Sequence, residues 1–263
     1  MEKFVSKENI ERWSGYADFY NDSRPVPPEV IAKSVLLYMK NNPEIVVDLG
    51  SGTGLSTMMW QNIAKEIVGI EPNDDMRETA EKTTKSNNIT YKKGVSNETN
   101  LPSDYADVVT ISQAFHWMDM DSTLLEIYRI LKSDGILAIF DCDWPPAIDW
   151  GIEKAYIDLK SKGDAICFSQ EKHAVQNDKS SYISVLNSFG KFRFLKEIVC
   201  HKVEKCTPKR MIGITLTQGG IQDAMKIDAS FKKDVDEYCD LVNARCDYEF
   251  EIVFSYRLRI AVK

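Results

Sequence analysis

Three glycines alternate with Ser51 and Thr53 in the stretch VVDLGSGTGL (Val46–Leu55), directly after an apolar run. A glycine-rich turn between a strand and a helix lets backbone approach a ligand closely and aims N–H groups at it. Two nucleotide-binding loops fail on spacing. The dinucleotide pattern G-x-G-x-x-G/A places Leu55 at its third position when counted from Gly50, and Thr57 when counted from Gly52. The phosphate loop requires a lysine after its last glycine, and none follows. What remains is D-x-G-x-G-x-G, formed by Asp48, Gly50, Gly52 and Gly54. Three titratable residues, His116, Asp141 and Asp143, fall at the carboxyl ends of predicted strands, where open α/β folds place their ligands. An imidazole with a near-neutral pKa suits a general base. The two aspartates fit that role, a cap on the following segment, or repulsion of an acidic ligand. Trp117 and Trp144 offer walls for a flat or apolar substrate, or core packing.

These residues need a frame. Short apolar runs at Ile45–Leu49, Glu66–Pro72, Ile89–Val95, Tyr105–Gln113 and Ile136–Asp141 read as strands. Between them, Leu55–Ala64, the run DDMRETAEKTTK and Asp121–Lys132 read as helices, the last ended by Asp134-Gly135. Strands that are nearly continuous apolar runs, alternating with helices, predict a parallel sheet covered on both faces. Upstream, Ser6 is a candidate N-cap. Pro25, Pro27 and Pro28 break the chain before a helix carrying Val30, Ile31, Val35 and Leu36. After Pro145-Pro146, residues 147–188 are helical with a polar, loop-like stretch at SQEKHAVQNDKSS. Phe192–Lys205 and Tyr248–Lys263 then predict an antiparallel pair on the edge of the sheet.

The bulk composition bounds the class. The 263 residues suffice for one large α/β domain, and 43% hydrophobic with 28% charged residues is ordinary for a globular chain. A net charge of −7 argues against a nucleic-acid partner, which would need a basic patch. Six scattered cysteines without a C-x-x-C predict free thiols in a reducing cytosol and offer no zinc ligand set, so no metal is expected. The N-terminus lacks a signal-peptide pattern and no run approaches membrane-spanning length, which points to a cytoplasmic protein without membrane partners.

VVDLGSGTG resembles the first motif of the class I S-adenosylmethionine-dependent methyltransferases. The resemblance implies a Rossmann-like α/β fold: a seven-stranded, mostly parallel sheet with an antiparallel C-terminal strand, helices on both faces and an inserted helical cap. It makes S-adenosyl-L-methionine the expected cofactor, with Asp48, Gly50, Ser51, Gly52 and Gly54 beside its amino-acid end. Glu71 closes the second strand 21 residues beyond Gly50. Its two carboxylate oxygens match the two ribose hydroxyls. Pro72 follows it, and Met76 resembles the residue that covers the adenine. After the third strand the frequent aspartate is replaced by Val95, which leaves Ser96 and Asn97 as adenine contacts.

The stretch QAFHW is similar to one in the trans-aconitate methyltransferase-like and type-11 branch. That likeness implies Gln113, Ala114 and Phe115 along the cofactor, with His116 and Trp117 at the substrate mouth beside Asp143 and Trp144. The N-terminal Tyr16, Tyr20 and Arg24 align with the same branch, and an arginine there suits the cofactor carboxylate. TPKRMIGITLTQGGIQ (Thr207–Gln222) resembles a pocket-lining segment of that branch, and Lys209 and Arg210 at its start are candidate cations for an acidic acceptor.

The domain expectation is one methyltransferase unit over 1–263. Within it, 1–42 cover the cofactor, 43–146 form the core, 147–190 and 207–246 form the substrate cap, and 191–206 with 247–263 supply the terminal strands. The expected function is transfer of a methyl group to a small-molecule acceptor by in-line displacement, with His116 or Asp141 as candidate base. The alternatives are a methyltransferase acting on protein or nucleic acid, and a catalytically silent binder of the cofactor. The acceptor and the oligomeric state stay open at this level.

Overall fold

The computed structural model describes residues 4–263; the first three residues of the expected 1–42 segment lie outside the described residues. Seven strands form one sheet: β1 (Ile45–Leu49), β2 (Glu66–Ile70), β3 (Ile89–Lys92), β4 (Ala106–Ser112), β5 (Leu131–Cys142), β6 (Phe194–Cys206) and β7 (Phe250–Val262). Their spatial order is β3-β2-β1-β4-β5-β7-β6. The first five run parallel, and β7 lies antiparallel to both β5 and β6, as the two long terminal runs predict. The strand order reverses between β1 and β4. That topological switch opens a crevice at the carboxyl ends of the strands.

Alternate residues of each central strand enter two different cores. Val46, Val108, Ala138 and Phe140 pack on one side, and Val47, Leu49, Val109 and Ile139 on the other. Burial on both faces explains why these strands read as unbroken apolar runs. The helices are α1 (Lys7–Ile10), α2 (Ala17–Ser23), α3 (Val30–Leu36), α4 (Asp74–Thr83), α5 (Met120–Ile130), α6 (Trp150–Phe168), α7 (Tyr182–Phe189), α8 (Pro208–Leu216), α9 (Gly219–Ile227) and α10 (Lys232–Arg245). Ser6 caps α1 by accepting from the Asn9 amide. Asn73, Asp119, Asp149 and Thr207 cap α4, α5, α6 and α8 in the same way. No helix among the described residues is long and apolar enough to cross a membrane.

Two expected elements differ. The helix predicted over Leu55–Ala64 is reduced to a 3-10 segment, Thr57–Trp60, flanked by turns. Ser56 and Thr57 direct their hydroxyls back to the Asp48 carboxylate, and short polar residues that bond locally compete with helix formation. The second difference lies at Asp134-Gly135, which was expected to end the helix before β5. Instead α5 stops at Ile130 and the strand begins at Leu131, with Asp134 in a left-handed conformation (φ 65°) inside it.

Candidate active site

Three adjoining cavities open at the carboxyl edge of the parallel strands. The first runs from Met76, Ser96 and Asn97 past Glu71 to Gly50, Gly52 and Ala114, roofed by Ile10, Trp13 and Tyr20 from the N-terminal segment. The second lies over the glycine loop, between Ser51, Thr53 and Arg24. The third is a chamber bounded by Arg12, Arg24, His116, Lys160, Lys179 and Gln218. Tyr20 and Gln113 line all three.

The loop conformation follows from its glycines. Gly50, Gly52 and Gly54 all have positive φ (67°, 55° and 86°), a region that L side chains avoid. A Cβ at Gly50 would also stand 2.6 Å from that of Ala114. Glu71 is tied at both oxygens: Gly52 N–H donates to one and Asn73 N–H to the other, each at 2.9 Å. Burial nevertheless pushes its carboxyl up to about 7, the two amides only partly offsetting the desolvation. Nearby, the Ser51 and Thr53 hydroxyl oxygens are buried and make no hydrogen bond.

Several expected residues stand elsewhere. Asp48 lines none of these three cavities. It is fully buried and accepts hydroxyl hydrogen bonds from Ser56 (2.8 Å), Thr57 (2.7 Å) and Thr110 (2.7 Å), so it anchors the glycine loop from beneath. Gly54 turns its α-carbon onto Tyr91 instead of the cavity. Phe115 is core, edge-on to Tyr182 at 5.0 Å. Tyr16 donates its hydroxyl to the Arg12 carbonyl (2.6 Å), which fixes the turn carrying Arg12 and Trp13. Asp143 is paired with Arg257 at 3.1 Å on the protein surface, outside the chamber. Asp141 lies behind the chamber wall, clamped by Lys179 (3.0 Å) and Arg259 (3.2 Å). It also stands 4.0 Å from His116 Nδ1 and lines none of the three cavities, so it meets the chamber only through Lys179 and His116. Arg210 points outward to Glu204 (2.9 Å), and Lys209 lines none of the three cavities.

His116 does face the chamber, together with Trp117 and Trp144. Burial holds its pKa well below the usual value, and the surrounding Lys179, Arg12, Lys160 and Arg24 reinforce that direction, so the ring is neutral. Arg24 donates to the Thr217 carbonyl at 2.8 Å between the rings of Tyr20 and Trp144, both 4.8 Å away. It lines both the glycine-loop cavity and the chamber.

Arg12, Trp13, Lys160, Gln176 and Lys179 were not anticipated. Lys179 and Gln176 come from the polar stretch that reads as an open loop. Asn177 pins it down by donating its backbone N–H to the His116 carbonyl (2.8 Å) and its side-chain amide to the Met118 carbonyl (2.9 Å). Lys179 then donates to the Gln113 side-chain oxygen at 2.7 Å. The one local signal was TQGG, where a Cβ on Gly219 would collide with the Arg12 guanidinium.

This order of strands, with the glycine loop at the switch point and Glu71 one strand away, decides the fold. It is the class I methyltransferase fold. Residues 47–139 match the family model of a methyltransferase domain. A probable S-adenosylmethionine-dependent methyltransferase of Saccharomyces cerevisiae is 28% identical over 136 residues, 50% of this chain and 47% of the relative. The chain thus spans about half the length of the curated relatives it matches. Among solved structures, the YcgJ protein of Bacillus subtilis is similar at a TM-score of 0.55 and 14% identity, over 89% of this chain and 97% of that one. A Haemonchus contortus phosphoethanolamine N-methyltransferase, in complex with phosphomonomethylethanolamine and S-adenosylhomocysteine, has the same TM-score at 16% identity. That match covers 100% of this chain and 60% of the neighbour. The matched region corresponds here to β1 through β5, whose strand-end loops form the floor of the first two cavities, while residues of the N-terminal segment and, for the second, Cys142, Trp144 and Tyr256 complete them.

Proposed function

We propose that this protein methylates a small anionic molecule with S-adenosylmethionine as donor. The cofactor reading rests on fit. A buried carboxylate held by two amides at the edge of the first cavity can accept two vicinal hydroxyls. The backbone of Gly50 and Gly52 forms a wall that any side chain would fill. Ser51 and Thr53 keep buried hydroxyls without partners beside it. Met76, Ser96 and Asn97 would hold the adenine, Glu71 and Pro72 the ribose, and Gly50, Gly52, Gln113 and Arg24 the amino-acid end. When bound, the sulfonium supplies an electrophilic methyl carbon.

The acceptor reading rests on one observation: the chamber that shares Tyr20 and Gln113 with the cofactor cavities is lined by four cations, Arg12, Arg24, Lys160 and Lys179, and by one carboxylate, Asp164. Lys160, Arg12 and Lys179 each have a carboxylate partner, Asp164, Asp223 and Asp141, while Arg24 makes no ion pair among the described residues, so the chamber keeps a positive balance that attracts an anion. An acid held there presents an oxygen that is already deprotonated, so it needs no base. The neutral His116 is suited to orient it by a hydrogen bond.

Incubation with radiolabelled S-adenosylmethionine and cell extract tests both parts. Label is expected in the small-molecule fraction, in a form released as volatile methanol by mild alkali, the behaviour of a methyl ester. Label confined to protein or nucleic acid overturns the acceptor, and no calorimetric binding of S-adenosylhomocysteine overturns the donor.

A further inference from the structure

On the far side of Arg12 lies a surface basin of about 440 Å³, against about 120 Å³ for the chamber. Arg12, Asp164 and Gln176 line both spaces, so their side chains belong to the partition between them. Arg12 spans it, 3.4 Å from Asp223 and 4.7 Å from the ring centre of Trp117, with its Nε making no hydrogen bond. The absence of a side chain at Gly219 gives that guanidinium its place.

The basin differs in chemistry from the chamber. Its charged residues are balanced in sign, Lys7, Arg12, Lys172 and Lys226 against Glu8, Glu11, Asp164 and Asp223, so they favour no particular charge. Its apolar surface is what stands out: Phe168, the last residue of α6, is 55% exposed and Ile227, the last of α9, is 42% exposed, with Ala174 beside them. Apolar surface separated from an anion-attracting chamber by a single shared wall of side chains suits a ligand with two unlike ends.

Resting on the anionic-acceptor reading above, we propose that the acceptor is amphipathic, its acidic head in the chamber and an apolar tail passing Arg12 to cover Phe168 and Ile227. Short acids occupy the chamber alone. Longer ones gain affinity from the basin.

Calorimetry on the full chain saturated with S-adenosylhomocysteine tests this with butyrate, decanoate and decanol, below their self-association concentrations. Decanoate is expected to bind at least about tenfold tighter than butyrate, since each buried methylene is worth roughly a three- to fourfold gain. The double substitution Phe168→Asp/Ile227→Asp should erase that gain, with S-adenosylhomocysteine affinity serving as the check on folding. Equal binding of butyrate and decanoate, or a gain that survives the double substitution, overturns the tail site and leaves the acidic head intact. Decanol binding as tightly as decanoate, or neither acid binding while S-adenosylhomocysteine does, overturns the acidic head and the proposal with it.

Discussion

The two walls of this site are built in opposite ways. The floor of the cofactor wall is drawn from short runs of consecutive residues, Gly50–Thr53, Glu71–Pro72, Gly94–Asn97 and Ser112–Ala114, each at the carboxyl end of one parallel strand, beneath a roof of Ile10, Trp13 and Tyr20. The chamber wall is made mostly of side chains from stretches far apart in sequence, with Arg12, Arg24, Lys160, Asp164, Lys179 and Gln218 among its polar members. The first wall demands particular backbone conformations and so leaves a pattern in the chain. The second demands only that long side chains converge, and leaves almost none.

If that contrast holds, the cofactor wall should tolerate the least change. Gly50→Val forces a branched residue to φ 67° and drives its Cβ into Ala114, where even the first carbon would be 2.6 Å away. Left-handed strain and overlap together should cost about 2–4 kcal/mol of stability. Affinity for S-adenosylhomocysteine should fall by more than about a hundredfold. Thermal unfolding and calorimetry check the two effects, and a variant that binds normally would mean the loop is not the cofactor bed.

Glu71→Gln is gentler, since the amide keeps one acceptor oxygen. Loss of charge-assisted bonds should weaken S-adenosylhomocysteine by roughly ten- to a hundredfold. The wild-type pH dependence has two opposing signs. With the folded carboxyl at about 7 against an ordinary 4.5, the native state holds more protons than the unfolded chain between those values. Glu71 therefore adds stability to the ligand-free protein as pH falls from 7 to 4.5, and withdraws it as pH rises. A ligand whose hydroxyls donate to the carboxylate reverses the preference, so affinity should drop as pH falls below about 7. Glu71→Gln should flatten both slopes; a wild-type affinity constant between pH 8 and 5.5 would contradict the hydroxyl contact.

The same contrast explains what the sequence disclosed. The sheet, its two antiparallel end strands and the glycine loop were legible because periodicity and glycine spacing are local properties, whereas the cavity residues Glu71, Met76 and Gln113 were legible only through the motif resemblance. Asp48 was legible as a motif member but not as a loop anchor, because its three hydroxyl donors come from two other positions in the fold, Ser56-Thr57 and Thr110. Lys179 was hidden in a polar stretch indistinguishable from a solvated loop until Asn177 is seen fastened to the 116–118 turn. Lys160 was hidden differently. On α6 it forms an i,i+4 pair with Asp164, the pattern of an ordinary surface helix.

Lys160→Met separates the walls directly. Removing a chamber cation should weaken binding of a small carboxylate by about five- to tenfold, the scale of one charge-assisted contact. Affinity for S-adenosylhomocysteine should stay within about twofold, because Lys160 lines neither of the first two cavities. It should also relieve part of the electrostatic pressure on His116, so the imidazole pKa, followed by NMR, should move up. Equal losses for carboxylate and S-adenosylhomocysteine would show that the two walls are not independent.

Asp143→Asn should do least of all. Sequence position alone ranks Asp143 with His116 as a candidate pocket residue, since both follow the end of a strand by a short step. Its carboxylate instead pairs with Arg257 where both side chains are nearly half exposed, and exposed pairs of this kind contribute about 0–1 kcal/mol. Stability should therefore change by less than about 1 kcal/mol. Acid and S-adenosylhomocysteine affinities should both stay within about twofold, for want of any contact with the three cavities. A marked loss of carboxylate binding would place Asp143 and Arg257 at the acceptor's entrance. The chamber would then extend toward β7, away from the basin beyond Arg12.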